Sequence, residues 1–490
     1  MKDDKLYQAA PDCSEQEMVG RKLVRKHLLV FLIVFAMLPP ALAFEAAGAE
    51  RVDLIIRGGT VVTMDGSSRV IDNGAVAIKQ ARIVAVGKSS EVSSRYSTTR
   101  TIYAAGKIVM PGLINTHTHV PMVLFRGIAD DLVLMEWLQK YIFPAEAKNV
   151  DEQFVRWGTR LGCLEMIQGG TTTFVDMYYF EDAIADETAR AGMRAVLGET
   201  LIDFPAPDNK TWEAGMAYVE KFSQRWKGNA LITPAIAPHA PYTVSTDHLK
   251  QAHAFSERTG LPLIIHIAED QAEVKTIQER YGASSVAYLD RIGLLDQRVI
   301  AAHMVWPAEE DIKTLASRKV GVAHCPQSNM KIAAGAAPVP QMLRAGVAVG
   351  LGTDGAASNN DLNLWEEIDT AAKLHKLVSK DPTVITAREA LEMATIRGAR
   401  AIHLDKDIGS LEAGKLADLI IVNATAAHQT PGYDVYSKLA YSTKASDVET
   451  VIINGRVIMR NRRVLTVDEG PVRAKAIEYR DRIRRSLGAN

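Results

Sequence analysis

The central part of the chain, residues 111–404, alternates short apolar runs with longer stretches of helical periodicity. Strands that alternate with helices predict a parallel sheet, because each helix returns the chain to the same end of the sheet. Eight such runs predict an α/β fold of the (β/α)8 TIM barrel type. A doubly wound open sheet is the alternative, but no Gly-x-Gly-x-x-Gly motif follows the first run. The runs are Lys107–Ile114, Thr172–Asp176, Ala195–Gly198, Leu231–Ala237, Pro262–Ile265, Val299–Ala302, Val320–Ala323 and Val347–Leu351.

The two flanks of this segment have a different pattern. Residues 51–110 consist of short β-branched runs separated by Gly- and Asp-rich turns, and residues 405–470 repeat that pattern. Neither block alone has enough strands for a stable sheet. We therefore expect one small β-sandwich domain built from both chain ends, and a C-terminal helix in residues 471–490.

The N-terminus carries the pattern of an export signal. A basic stretch precedes the apolar run Leu28–Leu38, which is followed by the cleavage-site sequence Ala41-Leu42-Ala43. The apolar run is shorter than the roughly 20 residues that a membrane-spanning helix needs. We expect residues 1–43 to be a signal peptide, and the mature protein to be periplasmic or extracellular without a stable membrane span. An uncleaved anchor is the alternative.

Composition indicates one large globular protein. The chain has 490 residues and 47% hydrophobic content, enough for a sizeable core. A formal net charge of −1 gives no reason to expect binding to nucleic acid or to an anionic membrane. Beyond the signal, Cys163 and Cys325 lie in apolar surroundings, which predicts buried free thiols rather than disulfides. Whether the protein forms a homo-oligomer stays open.

Six of the eight runs are followed directly by side chains that can bind a metal or move a proton. They are His117, His119, His239, His266, Glu269, His303, His324 and Asp354. Strand ends converge on one face of a barrel, where barrel enzymes carry their sites. His117 and His119, two residues apart on a strand, point the same way and can hold one ion. A lone histidine at a strand end is usually a core residue, but this conjunction favours a metal site.

These residues belong to a set of motifs that resembles the amidohydrolase superfamily. Within that superfamily, the chain resembles the 5-methylthioadenosine/S-adenosylhomocysteine deaminases over roughly residues 52–470. Chlorotriazine hydrolases and guanine deaminases share much of the pattern. The motifs are Pro111–His119, Arg126-Gly127, Trp137-Leu138, Pro144–Glu146, Ala237–Val244, His266–Glu269, Ala302-His303, His324–Asn329 and Gly352–Gly355.

The resemblance implies one divalent metal ion held by four side chains. They are His117, His119, His266 and Asp354. Neutral imidazoles with one carboxylate suit Zn²⁺, and Fe²⁺ or Mn²⁺ are alternatives. Some relatives bind two ions through a modified lysine on the fourth strand. The fourth run here, Leu231–Ala237, contains no lysine, which favours one ion.

The resemblance also implies the catalytic roles. Water activated by the ion attacks the amino-bearing carbon of an aminopurine, and Asp354 takes the proton of that water. Glu269 transfers a proton to the ring nitrogen and then to the departing ammonia, and His303 orients the attacking oxygen. The alternatives are that Glu269 is merely an acid at a helix N-terminus and that His303 is merely structural.

Substrate contacts follow from the same resemblance. Glu146 would accept hydrogen bonds from the ribose hydroxyls, and Trp137 would pack beside the nucleoside. His239 would approach the base or the ribose. Ser328 and Asn329 would line the pocket. The structural alternatives are a core tryptophan, a surface glutamate and turn-capping polar residues.

The expected activity is therefore metal-dependent hydrolytic deamination of an adenosine-type nucleoside, giving the inosine analogue and ammonia. Some relatives carry arginines after the third strand for the homocysteine carboxylate, but Gly198–Pro205 contains none. Shorter thio- or deoxynucleosides and adenosine itself thus stay open. The alternatives are another amidohydrolase acting on guanine, a triazine or a pterin, and a catalytically dead binding scaffold.

Overall fold

The computed structural model describes residues 48–488 of the chain. The signal peptide predicted over residues 1–43 lies outside the described residues.

Within residues 48–488, no helix combines the length and the apolar character that crossing a membrane requires.

The first strands of the described chain belong mainly to a sheet at one end of the barrel. They are β1 (Glu50–Arg51), β2 (Leu54–Val62), β3 (Val70–Lys79), β4 (Arg82–Lys88), β5 (Tyr96–Ser97), β6 (Thr101–Tyr103) and β7 (Lys107–Pro111). Strands β1 and β5 pair only with each other, in parallel.

Eight parallel strands then form the predicted (β/α)8 barrel. They are β8 (Leu113–Thr118), β9 (Thr171–Tyr178), β10 (Arg194–Leu201), β11 (Ile232–Pro238), β12 (Leu263–Ile267), β13 (Val299–His303), β14 (Gly321–His324) and β15 (Ala348–Leu351). Each strand pairs with its neighbour in chain order. Between the last strand and the first, the backbone N–H of Asp354 donates to the carbonyl of His117 at 3.0 Å. All eight predicted runs contribute to barrel strands, which confirms the fold class.

The described helices are α1 (Ser89–Arg95), α2 (Leu134–Glu136), α3 (Phe143–Asn149), α4 (Glu152–Gly169), α5 (Glu181–Ala191), α6 (Trp212–Trp226), α7 (Thr246–Thr259), α8 (Gln271–Tyr281), α9 (Ser285–Arg291), α10 (Glu309–Arg318), α11 (Pro326–Lys331), α12 (Val339–Arg344), α13 (Leu364–Ser379), α14 (Ala387–Met393), α15 (Ile396–Ala401), α16 (Val435–Ser437) and α17 (Glu469–Ser486). Most of the helices connect the barrel strands or pack around the barrel, whereas α1 packs on β3 and β4 of the chain-end sheet. A π-helical turn, Trp137–Ile142, joins α2 to α3. Helix α17 lies where the C-terminal helix was predicted.

The first apolar run is divided between two sheets, which corrects its predicted extent. Lys107–Pro111 pairs with the chain-end sheet as β7, and the barrel begins only at Leu113. Gly112 forms the junction, and a Cβ there would lie 2.1 Å from the Thr172 hydroxyl oxygen, so no larger residue fits. Hydropathy does not mark this boundary because both strands are buried.

Strands from the C-terminal end complete the other sheet. They are β16 (Leu419–Asn423), β17 (Val448–Ile453), β18 (Arg456–Arg460) and β19 (Arg463–Val464). β16 pairs antiparallel with β7, so the two chain ends join there in one continuous sheet ordered β19-β18-β17-β16-β7-β2-β3-β4, with β6 beside β2. The Ile83 N–H on β4 donates to the Lys415 carbonyl at 2.9 Å, and Ile83 packs in the same apolar cluster as Ala417 and Leu419. The predicted construction from both chain ends is confirmed.

The barrel interior is a packed apolar core, not a pore. Inward side chains such as Ile114, Val196 and Ile300 pack with Ala399 and Ile402 from the α15 region. A polar site has no room in that layer, so the chemistry has to lie beyond the C-terminal ends of the strands. The two cysteines within the described residues are buried and free, as predicted.

Candidate active site

Four of the predicted side chains meet at the C-terminal mouth of the barrel. His117 and His119 come from the end of β8, His266 from β12, and Asp354 from the segment after β15. The His117 ring centroid lies 4.8 Å from that of His119 and 5.0 Å from that of His266. Asp354 Oδ1 lies 3.2 Å from His119 Nε2 and 3.5 Å from His117 Nε2. Residues far apart in sequence thus converge because parallel strands end on one face.

His117 shows that this cluster fits a metal ion. It is fully buried, and neither of its ring nitrogens has a hydrogen-bond partner in the described part of the chain. Burial lowers the pKa of His117 to about 4, so the ring is neutral and carries a free lone pair. Buried polar atoms normally have partners. A divalent cation would provide the missing one, because His117 belongs to two groups whose candidate ligand atoms lie within 4.8 Å of one another: one with His119 and Asp354, and one with His266 and His303.

The backbone orients the other two imidazoles. His119 Nδ1 lies 2.6 Å from the carbonyl oxygen of Met177, and His266 Nδ1 lies 2.8 Å from that of His239. A carbonyl only accepts hydrogen bonds, so each Nδ1 donates and each Nε2 is turned toward the cluster. Burial disfavours the protonated form of His119, but Asp354 outweighs burial and raises the pKa of His119 to about 9.

Asp354 is held as an anion with one oxygen toward the histidines. Its Oδ2 accepts hydrogen bonds from the hydroxyls of Ser328 at 2.7 Å and Ser358 at 2.8 Å. Burial would raise its pKa, but the nearby imidazoles of His117 and His119 hold the pKa of Asp354 well below its usual range. Ser328 was predicted to line the substrate pocket. It is instead fully buried behind Asp354, because its hydroxyl is used to hold that carboxylate.

His303 stands beside the cluster at the end of β13. Its Nε2 lies 3.6 Å from Glu269 Oε1, and its Nδ1 lies 3.0 Å from Asn329 Oδ1. The backbone of His303 is left-handed, with φ of 71°, a conformation that costs energy for a residue other than glycine. Asn329, also predicted to line the pocket, is fully buried behind His303 because its amide fixes that ring.

Glu269 is a buried carboxyl group that keeps its proton. Burial, together with the negative charges of Asp354 and Glu273, raises the pKa of Glu269 well above its usual range. Helix α8 begins two residues later with Asp270 as its N-cap, whose side chain accepts from the Glu273 N–H at 2.8 Å. The capping position is therefore already filled, and this disfavours the alternative in which Glu269 merely begins a helix.

A cavity of about 60 Å³ opens directly onto these groups. Trp137 on the π-helical turn, Glu146 on α3, and His239 after β11 lie on its wall. The described residues that line it are His119, Met122, Leu134, Trp137, Leu138, Ile142, Phe143, Glu146, Met177, Tyr178, Tyr179, Thr200, His239, Tyr242, His266, Glu269, His303 and Asp354. The three substrate residues predicted from the first and fourth strand connections thus face the same space as the cluster.

One histidine of the predicted ring lies elsewhere. His324 at the end of β14 is fully buried, and its Nε2 lies 3.0 Å from Nε2 of His375 on α13. Burial is the main cause that lowers the pKa of His324 well below its usual range, and the neighbouring His375 ring contributes to the same shift. The two rings therefore form a neutral internal hydrogen bond, and position at a strand end alone did not distinguish His324 from the ligand candidates.

Sequence reasoning missed the contribution of β9. Asp176 Oδ1 accepts hydrogen bonds at 2.6 Å from the Thr118 hydroxyl and from the Val120 N–H, which flank His119. Two residues later, the Tyr178 hydroxyl donates to Glu146 Oε1 at 2.8 Å. The available signal was a carboxylate within the otherwise apolar run Thr172–Asp176. The Tyr178 contact has no local signal, because its partner is on another element.

A closed parallel barrel with buried imidazoles and an ionised aspartate at its mouth defines the class of barrel enzymes built to use a metal ion. Residues 108–458 match the family model described as the amidohydrolase family. The chain therefore belongs to the amidohydrolase family.

Individual relatives narrow the comparison. The chain is 49% identical over 432 residues to a 5-methylthioadenosine/S-adenosylhomocysteine deaminase of Syntrophobacter fumaroxidans, covering 88% of this chain and 98% of that protein. It is 46% identical to a 5′-deoxyadenosine deaminase of Methanosarcina acetivorans, with 86% and 96% covered. The crystal structure of an adenosine deaminase from Xanthomonas campestris with bound zinc superposes with a TM-score of 0.88 at 39% identity, covering 89% of this chain and 100% of that one.

Proposed function

We propose that this protein is a metal-dependent hydrolytic deaminase of adenosine-type nucleosides, which replaces the amino group of the base by oxygen and releases ammonia. The observation that carries the proposal is the buried carboxyl of Glu269, 3.6 Å from His303 Nε2 and beside the His/Asp cluster, in a cavity that also holds Glu146. Deamination needs a proton donor at the ring nitrogen, and Glu269 has the protonation state for that task. The relatives named for deamination of adenosine-type nucleosides support the same reaction.

The cluster would hold one divalent ion through His117, His119, His266 and Asp354. Zinc is our first choice because these donors suit it and because the related adenosine deaminase structure contains it. Iron and manganese are the alternatives. A bound ion would supply Lewis acidity, which makes water a better nucleophile at neutral pH.

The side chains divide the proton transfers between them. Asp354, which is ionised, accepts the proton of the attacking water. Glu269 donates its proton to the ring nitrogen next to the attacked carbon, takes up the remaining proton of the added hydroxyl, and passes it to the amino group, which leaves as ammonia. The proton held by Asp354 then returns to Glu269 through solvent, which restores both groups. His303 donates its Nδ1–H to Asn329 Oδ1, so its Nε2 carries no proton in the neutral ring and orients the attacking water by accepting a hydrogen bond from it. Each role matches the protonation state that burial and neighbouring charges give the residue.

Substrate recognition rests on three further residues of the cavity wall. Glu146 accepts hydrogen bonds from the ribose hydroxyls, Trp137 packs against the nucleoside, and His239 approaches the base or ribose. The cavity volume of about 60 Å³ is well below the roughly 300 Å³ of a typical small-molecule pocket. The cavity therefore has to enlarge to admit a nucleoside.

The 5′ end of the substrate is neutral in our proposal. No lysine or arginine is among the described residues that line the cavity, and Gly198–Pro205 adds none. A homocysteine carboxylate would lose its hydration there without gaining a cationic partner. Adenosine, 5′-deoxyadenosine and 5-methylthioadenosine are therefore preferred over S-adenosylhomocysteine.

A substrate panel on metal-analysed protein tests the function. The proposal predicts loss of the adenine absorbance and stoichiometric ammonia from the three neutral nucleosides. Turnover of guanine, a triazine or a pterin in their place would make the protein another amidohydrolase. Absence of bound metal and of any turnover would make it a binding scaffold.

We also propose that the enzyme is exported and acts on nucleosides outside the cytoplasm. The support is the basic and apolar pattern that ends at Ala41-Leu42-Ala43. Cell fractionation with N-terminal sequencing of the mature protein tests this. A cytoplasmic protein that retains residues 1–43 would contradict it.

A further inference from the structure

Tyr178 and Glu146 form a buried pair on the wall of the cavity. The Tyr178 hydroxyl donates to Glu146 Oε1 at 2.8 Å, and the two residues are 3% and 5% exposed. Within residues 48–488, Glu146 Oε2 has no hydrogen-bond donor, and it is not sealed off from solvent. One oxygen of the carboxylate is thus occupied by protein, and the other is left to accept hydrogen bonds from a ligand.

The position of Tyr178 is fixed from several sides. Its backbone N–H donates to Glu181 Oε1 at 3.0 Å, and its ring centroid lies 5.0 Å from that of Tyr179. The preceding carbonyl, that of Met177, accepts from His119. Tyr178 is therefore held in place beside the metal-competent cluster, and its hydroxyl is a well-positioned hydrogen-bond donor for Glu146.

Glu146 needs this donor to act as an acceptor. Burial raises the pKa of Glu146 to about 7, and the hydrogen bond from the Tyr178 hydroxyl opposes that rise. Without the hydroxyl, a larger fraction of Glu146 would carry a proton at neutral pH. A protonated carboxyl offers fewer acceptor sites to a vicinal diol and presents a competing donor.

We propose that Tyr178 is a positioning residue through which Glu146 distinguishes ribonucleosides from nucleosides without the 2′ and 3′ hydroxyls. It holds one carboxylate oxygen and keeps the other charged and aimed at the diol. This inference rests on the proposed deaminase function and on the ribose role of Glu146.

The test compares adenosine with 2′,3′-dideoxyadenosine in the metal-loaded full chain. For Tyr178→Phe we expect the ratio of kcat/KM values, adenosine over the dideoxy compound, to fall about 10-fold, since a hydrogen bond to a charged group is lost. The change should lie mainly in KM for adenosine. Both substrates are measured on one sample, so partial unfolding cancels from the ratio.

Two further variants separate positioning from general damage. Glu146→Gln should lower the same ratio, and adding Tyr178→Phe to it should change the ratio little further, because the two act through one carboxylate. Tyr479→Phe is the matched control: this buried tyrosine lies on α17 and is not among the residues that line the cavity, so the ratio should stay close to that of the unaltered enzyme.

An unchanged ratio in Tyr178→Phe, or equal losses on both substrates, would overturn the inference and leave the proposed function standing. If the unaltered, metal-loaded enzyme fails to deaminate any adenosine-type nucleoside, the proposed function falls and this inference falls with it.

Discussion

The two ends of the barrel differ in how completely their buried polar groups are hydrogen-bonded. At the end that joins the chain-end sheet, Arg194 donates from Nε to Asp418 Oδ2 at 2.7 Å and from Nη2 to Oδ1 at 3.3 Å. The Asn454 N–H adds a third bond to that carboxylate. At the mouth, His117 lacks partners within residues 48–488, and His303 and Asp354 have left-handed backbones.

This difference separates stability from function. The Asp418 carboxylate uses its hydrogen-bonding capacity on Arg194 and Asn454, and in this way it joins the barrel to the chain-end sheet. A group bonded in this way has no free acceptor for a ligand. Groups that are buried, incompletely bonded and held in strained conformations have their missing partners supplied by an ion or a substrate. Substitutions at the two ends should therefore fail in different ways.

The largest effect is expected at the mouth, for His266→Ala. Removing one imidazole from the cluster should abolish both metal binding and turnover, because the remaining ligands no longer surround the ion. Metal analysis of the purified variant and ammonia release check this. A variant that retained the metal and substantial activity would exclude His266 as a ligand.

Glu269→Gln should separate chemistry from metal binding. The amide cannot transfer a proton, so we expect kcat to fall about 10²–10⁴-fold, while metal content and thermal stability stay near those of the unaltered enzyme. Steady-state kinetics with metal analysis on the same preparation provide the measurement. A near-normal kcat in this variant would contradict the proposed proton-transfer role of Glu269.

Arg194→Ala tests the opposite end of the barrel. It leaves the buried carboxylate of Asp418 without its ion-pair partner, and we expect the free energy of unfolding to fall by about 3–5 kcal/mol. Activity per folded molecule should change little, since the pair lies away from the mouth. Denaturant unfolding and active-fraction kinetics measure the two effects.

The exposed pair of Arg318 and Asp290 is the matched control for that variant. Arg318→Ala should change stability little, because solvent screens an exposed ion pair. If Arg194→Ala and Arg318→Ala lowered the free energy of unfolding equally, the buried ion pair would be no more important for stability than an exposed one.

The smallest predicted effect is a pH dependence of substrate binding. Burial raises the pKa of Glu146 to about 7, against the opposing influence of the hydrogen bond from Tyr178. The carboxyl is therefore protonated below this pH and ionised above it, so KM for ribonucleosides should rise a few-fold as pH falls from about 8 to about 6. Glu146→Gln should flatten that component of the KM profile. A profile identical in both proteins would contradict the ribose role.

The barrel and its ligand candidates were predictable from sequence because both depend on periodic patterns. Eight apolar runs predict eight strands, and parallel strands bring their ends together whatever their separation in the chain. His117, His266 and Asp354 could thus be placed near one another without knowledge of any side-chain contact. The same rule also included His324, since a strand end does not show whether a ring turns toward the mouth or toward α13.

The groups that hold the site were less accessible to sequence reasoning. The carbonyls of Met177 and His239 orient two imidazoles, but a backbone carbonyl has no signature in the sequence. Ser328 and Asn329 were recognised as part of the site, yet only their contacts reveal that they support Asp354 and His303. The division of the first run at Gly112 was hidden because burial continues across the junction.

The central claim is that the mouth of this barrel binds one divalent ion and uses it to replace the amino group of an adenine by oxygen from water. Incubating metal-analysed enzyme with adenosine in ¹⁸O-labelled water, and following inosine by mass spectrometry, tests this directly. We predict one ¹⁸O atom per inosine, one ammonia per turnover, and loss of the reaction on metal removal with recovery on reloading. Unlabelled product, or full turnover by the metal-free protein, would contradict the account.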